Sequence, residues 1–152
     1  MMINLQAVLP VLLPKAIAWA QDRAEEIRAT GDALTDAELS LARRVGVSEP
    51  ELIRVSIVSA LPLPIDPDLR QAAVATGLLG PGMVGLTLGH GIYICAGYKS
   101  PRLLSHECRH VHQYERAGSI AEYLPIYLQQ VAAVGYHNAP FEIDARAHEL
   151  TG

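Results

Sequence analysis

Leu103-Leu104-Ser105-His106-Glu107-Cys108-Arg109-His110-Val111-His112-Gln113 is the stretch on which the reading of this chain turns. It contains the pattern HExxH. Residues four apart lie on one face of an α-helix, so His106 and His110 can present both imidazoles to a single ion. Glu107 follows about 100° around the helix, beside that ion and not bound to it, where it can take a proton from water. The flanks support a helix. Ser100-Pro101 supplies a cap and a proline in the first turn, and Gly118 supplies a stop. On a helical wheel Leu103, His106, His110, Gln113 and Tyr114 share the metal side, whereas Leu104, Cys108, Val111 and Glu115 fall opposite, where the apolar ones can anchor the helix to a core.

Working outward, Ser119 with Glu122 forms a capping-box pattern that opens a helix ending at Gly135. Asn138 and Pro140 open a last helix, expected to run to about residue 150. Upstream, residues 83–88 and 92–95 read as two strands around a Gly89-His90-Gly91 turn, and residues 52–59 as a further strand. Thr35 with Glu38 caps a short helix, Asp66-Pro67 starts another, and residues 15–30 carry a helical apolar stripe. Pro10, Pro14 and Lys15 interrupt the apolar run before it, which also argues against a secretory leader. The expectation is one α+β domain over 1–152, with helices and a strand in 1–80. Strands, the HExxH helix and two further helices occupy 83–152, giving a small mixed or antiparallel sheet followed by three helices.

Composition narrows the functional classes. Half of the 152 residues are hydrophobic and 18% are charged, so a buried core is expected. A net charge of -4, with Lys15 and Lys99 the only lysines, gives no basic footprint for nucleic acid or an anionic membrane. The uncharged stretch 71–98 is too rich in glycine for a membrane span. Cys95 and Cys108 are read as reduced thiols, which points to the cytoplasm.

A tetrahedral site needs a third protein ligand. The chain lacks the Gly and His that a metzincin would place just after His110. Glu122 and Glu142 are the candidates. Glu122 is already explained as the cap partner of Ser119, whereas Glu142 lies in a first helical turn, where the helix dipole favours its ionised form. Asp144 is the nearest acid to orient a ligating histidine. Tyr136 and His137, just before the ligand helix, are candidates to stabilise an oxyanion. His90 and His112 are assigned to other duties.

The segment quoted at the start resembles the LLxHExxHxxQ segment of a group of small bacterial zincin-like domains, which look like gluzincin metallopeptidases. The strand Ile92-Tyr93-Ile94 before it and Pro140-Phe141-Glu142-Ile143-Asp144-Ala145 after it extend the resemblance to about residues 85–147. The resemblance implies a minimal zincin-like fold, Zn2+ held by His106, His110 and Glu142, and Glu107 as base. Cys108 departs from the aliphatic residue usual there, making that core contact smaller and more oxidisable. The expected function is a zinc-dependent hydrolase, a metallopeptidase acting on a peptide or protein, with Ile92–Ile94 as an edge strand for the substrate. The alternative is a catalytically silent zinc-binding interaction module. A protein partner that completes the cleft is compatible with either.

Overall fold

The computed structural model describes residues 4–151, so Met1–Ile3 and Gly152 of the expected 1–152 domain lie outside it. Helix α1 (Leu5–Thr30) leads into strand β1 (Asp32–Ala33), helix α2 (Asp36–Arg44), a 3-10 turn (Pro50–Leu52) and strand β2 (Arg54–Val58). Helix α3 (Pro67–Ala75), strands β3 (Gly85–Leu88) and β4 (Gly91–Cys95), and helices α4 (Pro101–Ala117), α5 (Ile120–Val134) and α6 (Pro140–Ala147) complete the α+β chain. No helix among the described residues is long and apolar enough to cross a membrane.

The sheet order is β1-β2-β4-β3, with β2 and β4 parallel and the outer pairings antiparallel. Strand β4 is therefore central, buried along its whole length, and its alternation divides the core. Ile92 and Ile94 face a cluster with Val55, Ala42 and the α4 residues Leu104, Cys108 and Val111. Tyr93 and Cys95 face the other, with Ala20 and Ile27 of α1, Tyr123 and Leu124 of α5, and Tyr114. Helix α4 thus sets its rotation by inserting Leu104, Cys108 and Val111 into the first cluster. Burial of Val111 alone contributes roughly 1.5–3 kcal/mol.

Several expectations are corrected. The strand expected to offer an edge, Ile92–Ile94, is central, and the edge beside α4 belongs to β3. Pro10 and Pro14 do not delay α1, which starts at Leu5 with Asn4 as its cap. Both prolines are exposed, while Leu9, Leu12, Ala20 and Ile27 on the opposite face are buried. Tertiary burial outweighs the lost backbone bonds. The strand expected over 52–59 starts later, because Pro50 fixes a 3-10 turn first. Helix α6 stops at Ala147, short of residue 150, and its cap position is Ala139 without a side-chain bond. Cys108 is fully buried, and burial pushes its thiol up to about 12, which opposes the thiolate that oxidation requires. Neither cysteine is in a disulfide.

Glu115, at the back of α4, ties the fold together. Its carboxylate accepts from the backbone N–H groups of Ser48 (2.8 Å) and Glu49 (3.0 Å) and lies 3.0 Å from His90 Nε2. Burial alone would raise its pKa, but the Ser48, His90 and Glu49 hydrogen bonds bring it below the ordinary 4.5. A depressed folded-state pKa means the contribution is fully present above 4.5 and is lost as pH falls through the folded value. Glu115→Ala should destabilise the protein by about 1–3 kcal/mol at pH 7. In urea titrations the gap from wild type should narrow as pH drops below 4.5.

Candidate metal centre

Two helices and one strand converge on the HExxH face. Helix α4 begins at Ser100, whose Oγ accepts from Leu103 N–H, and Pro101 fixes its first turn. Its imidazoles stand with ring centroids 5.0 Å apart. Helix α5 reverses the chain between Gly118 and Gly135, and α6 returns Glu142 to face both histidines. Glu142 Oε1 lies 3.3 Å from His106 Nε2, and Oε2 lies 3.3 Å from His110 Nε2. One ligand atom from each of the three residues lies within 4.8 Å of the others, a spacing that could hold a metal ion.

The surrounding bonds decide which imidazole atoms are available. His106 donates from Nδ1 to Glu149 Oε2 (2.8 Å), and His110 donates from Nδ1 to Gln113 Oε1 (2.8 Å). Gln113 must present its oxygen there, because its amide nitrogen donates to Phe141 O and Asp144 Oδ2, both at 2.9 Å. With both Nδ1 protons committed outward, it is the Nε2 of each imidazole that faces Glu142, the nitrogen that such an arrangement leaves for a metal. Glu142 is 3% exposed, and its Oε1 is buried without a hydrogen-bond partner although His106 is adjacent. A buried carboxylate oxygen in that state costs free energy unless a cation or donor completes it. Tyr127 donates to the other oxygen, Oε2, at 2.7 Å. The donor set, two imidazoles and one carboxylate, fits a divalent metal of the zinc type.

Glu107 points into the same space. Thr87 Oγ1 donates to its Oε1 at 2.8 Å, and its Oε2 packs where β3 carries Gly85. A Cβ at Gly85 would stand 2.8 Å from that oxygen, so only glycine leaves the carboxylate its place. Burial raises the Glu107 pKa, an effect that the two imidazoles partly oppose. Burial would raise Glu142 too, but the adjacent His106 and His110 hold it well below the ordinary carboxylate value. Burial would lower His106, yet Glu142, Glu107 and Glu149 together raise it to about 9.

Other expectations resolve differently. Asp144 does not orient a histidine directly: it pairs with Arg109 (2.8 and 3.2 Å) and Gln113, and so acts through the glutamine. Glu149 takes the histidine-holding position expected of Asp144, because the chain after α6 folds back and Leu150 N–H donates to Ser105 Oγ. Tyr136 lines the cavity beside Glu142. His137 does not; it is exposed, and its carbonyl accepts from Arg146. Glu122 remains at the N-terminus of α5 with Ser119, away from the histidines. His112 donates to Gly46 O and His90 pairs with Glu115, both outside the cluster. Sequence reasoning missed Glu149, Tyr127, Thr87 and Gly85. Only Gly85 carried a legible sign, a glycine inside a strand.

No protein-family model, curated protein or solved structure matches this chain.

In metal-free protein the His106 imidazole should titrate near 9 by NMR, well above its ordinary 6.5. A raised folded-state pKa contributes stability that is present below 6.5 and lost as pH rises through about 9. Glu149→Gln should bring the midpoint down and weaken metal uptake by about 10–100-fold. An unchanged midpoint would remove Glu149 from this role.

Proposed function

We propose that this chain is a zinc-dependent hydrolase of zincin type, cleaving an amide bond, with His106, His110 and Glu142 holding Zn2+ and Glu107 as general base. The observation that carries the reading is the shared orientation of His106, His110 and Glu142. Both imidazoles turn Nε2 to one buried carboxylate while their Nδ1 protons are held outward. A structural site would have no need of a second buried acid, yet Glu107 lies beside Glu142 and outside the ligand set.

Zinc, when bound, supplies Lewis acidity that polarises a carbonyl and makes water more acidic. The remaining work belongs to the chain. Glu107 is kept basic by burial and fixed by Thr87, so it can accept a proton from the attacking water and return it to the departing nitrogen. The balance is simple: one C–N bond breaks, the water oxygen bonds to carbon, and the products are a carboxylate and an amine. Tyr136, in the wall of the cavity and interacting with Glu142, is the hydroxyl we assign to the developing oxyanion. The open edge of β3 can pair with an extended substrate backbone.

Dialysed protein should take up about one zinc per chain. His106→Ala, His110→Ala or Glu142→Ala should abolish or strongly weaken that uptake. Glu122→Ala should leave it intact and cost only about 1 kcal/mol of stability through the lost hydrogen bond from Ser119 Oγ. Failure of wild type to bind zinc at micromolar concentration would refute the assignment.

Glu107→Gln keeps the shape and removes the base. It should leave zinc content unchanged while eliminating cleavage of a diverse peptide and acyl-amide library followed by mass spectrometry. Gly85→Ala should retain zinc and lower the rate, on the order of 10²-fold, by displacing the same carboxylate. Zinc binding with no cleavage anywhere in the library would favour an interaction module.

A further inference from the structure

The cavity that contains the candidate centre does not end there. It has a volume of about 130 Å³, against the roughly 10–15 Å³ that one water needs. Along one wall it follows a single stripe of α1: Leu5, Leu9, Leu12, Ala16, Trp19 and Ala20. Those positions recur at helical spacing, and fifteen steps at 1.5 Å each make the stripe about 22 Å long. Helix α3, the 78–86 segment and α5 supply the facing walls, with Ala72, Leu79 and Leu128 among their contributions.

The polarity of this cavity is strongly one-sided. All of its ionisable carboxylates and imidazoles belong to the centre already described: His106, Glu107, His110 and Glu142. Beyond them the arm carries no Lys, Arg, Asp or Glu. Thr76, a polar residue on the α3 wall, turns its hydroxyl back onto the carbonyls of Ala72 (2.7 Å) and Ala73 (3.3 Å). A peptide laid along the α1 stripe, away from the β3 edge, would bring an N–H and a C=O with every residue and find almost no partners for them. Each unpaired group would cost on the order of 1–3 kcal/mol. A hydrocarbon chain brings none.

From this we infer that the arm along α1 receives a long unbranched acyl chain, so that the substrate is an amide of a long-chain carboxylic acid with its carbonyl at Glu107. The inference rests on the hydrolase reading for the cleavage step, but not for the binding of the chain. Water adds to the acyl carbon, the C–N bond breaks, Glu107 passes the proton to the leaving nitrogen, and the long-chain acid and an amine are released. No other reactant is consumed.

Trp19, the only tryptophan of the chain, lines the arm and reports its occupancy without any metal. Metal-free protein would be titrated with butyrate, octanoate, laurate and palmitate while Trp19 emission is followed. Zinc content would be measured separately on the same preparation. Affinity should rise about two- to fourfold for each added methylene through the longer acids. Ala16→Phe, which fills the stripe four residues from Ala20, should abolish the gain in affinity with chain length among the longer acids while leaving zinc uptake unchanged. Should that variant fail to fold, the wild-type series decides alone. Chain-length dependence without zinc uptake supports the acyl site and counts only against the hydrolase. Zinc uptake without chain-length dependence overturns the inference and leaves the hydrolase standing. An acetylated oligoleucine amide that binds as tightly as laurate also overturns it, in favour of a peptide occupant.

Discussion

The side-chain amide of Gln113 holds the centre in register. Its oxygen accepts from His110 Nδ1 and from Tyr123 Oη, while its nitrogen donates to Phe141 O and Asp144 Oδ2. One buried group therefore fixes the tautomer of a histidine on α4, the hydroxyl of a tyrosine on α5, and the start of α6. Glu142 lies between Phe141 and Asp144, so its distance from His110 is set by this glutamine. Arg109 reinforces the arrangement by gripping Asp144 and reaching Val45 O on the other side. A Glu in place of Gln113 could not donate to Phe141 and Asp144, and would set two carboxylates against each other.

Charge adds a second constraint. Glu107, Glu142 and Glu149 surround two imidazoles, in a region where Glu107, His110 and Glu142 are all buried. Groups taken out of water in this way are tolerated when they are paired or when they enclose a cation. Without a metal, the carboxylates draw protons onto the imidazoles, which is why His106 is raised to about 9 despite its burial. The same carboxylates that hold those protons would favour a divalent ion that replaces them.

The sequence made local features legible and long-range pairings opaque. The starts of α2, α4 and α5 were readable because Thr35, Ser100 and Ser119 cap their own helices within three residues. Glu142 was readable for a related reason, since a proline-led first turn states where an acid sits. Glu149 was not, because its partner is 43 residues away and depends on how the chain folds back after α6. Thr87 was hidden in the same way by the 20 residues separating it from Glu107. The position of β4 in the sheet was missed because it follows from a parallel pairing with β2, a contact for which strand composition gives no cue. In α1, the expectation from proline was locally sound but was outweighed by burial on the opposite face.

Those prolines have a dynamic consequence. In a helix the missing N–H groups of Pro10 and Pro14 would have bonded the carbonyls four residues earlier, at Gln6 and Pro10. The ladder is thus broken twice within its first ten residues, whereas from Lys15 to Thr30 it is continuous. Amide exchange should show the early turns opening at lower free energy than the remainder, on a timescale separate from global unfolding. Leu5, Leu9 and Leu12 belong to those turns. The early turns of α1 are therefore the least firmly closed part of the cavity wall, while the histidines of α4 and Glu142 of α6 rest on helices with no internal proline.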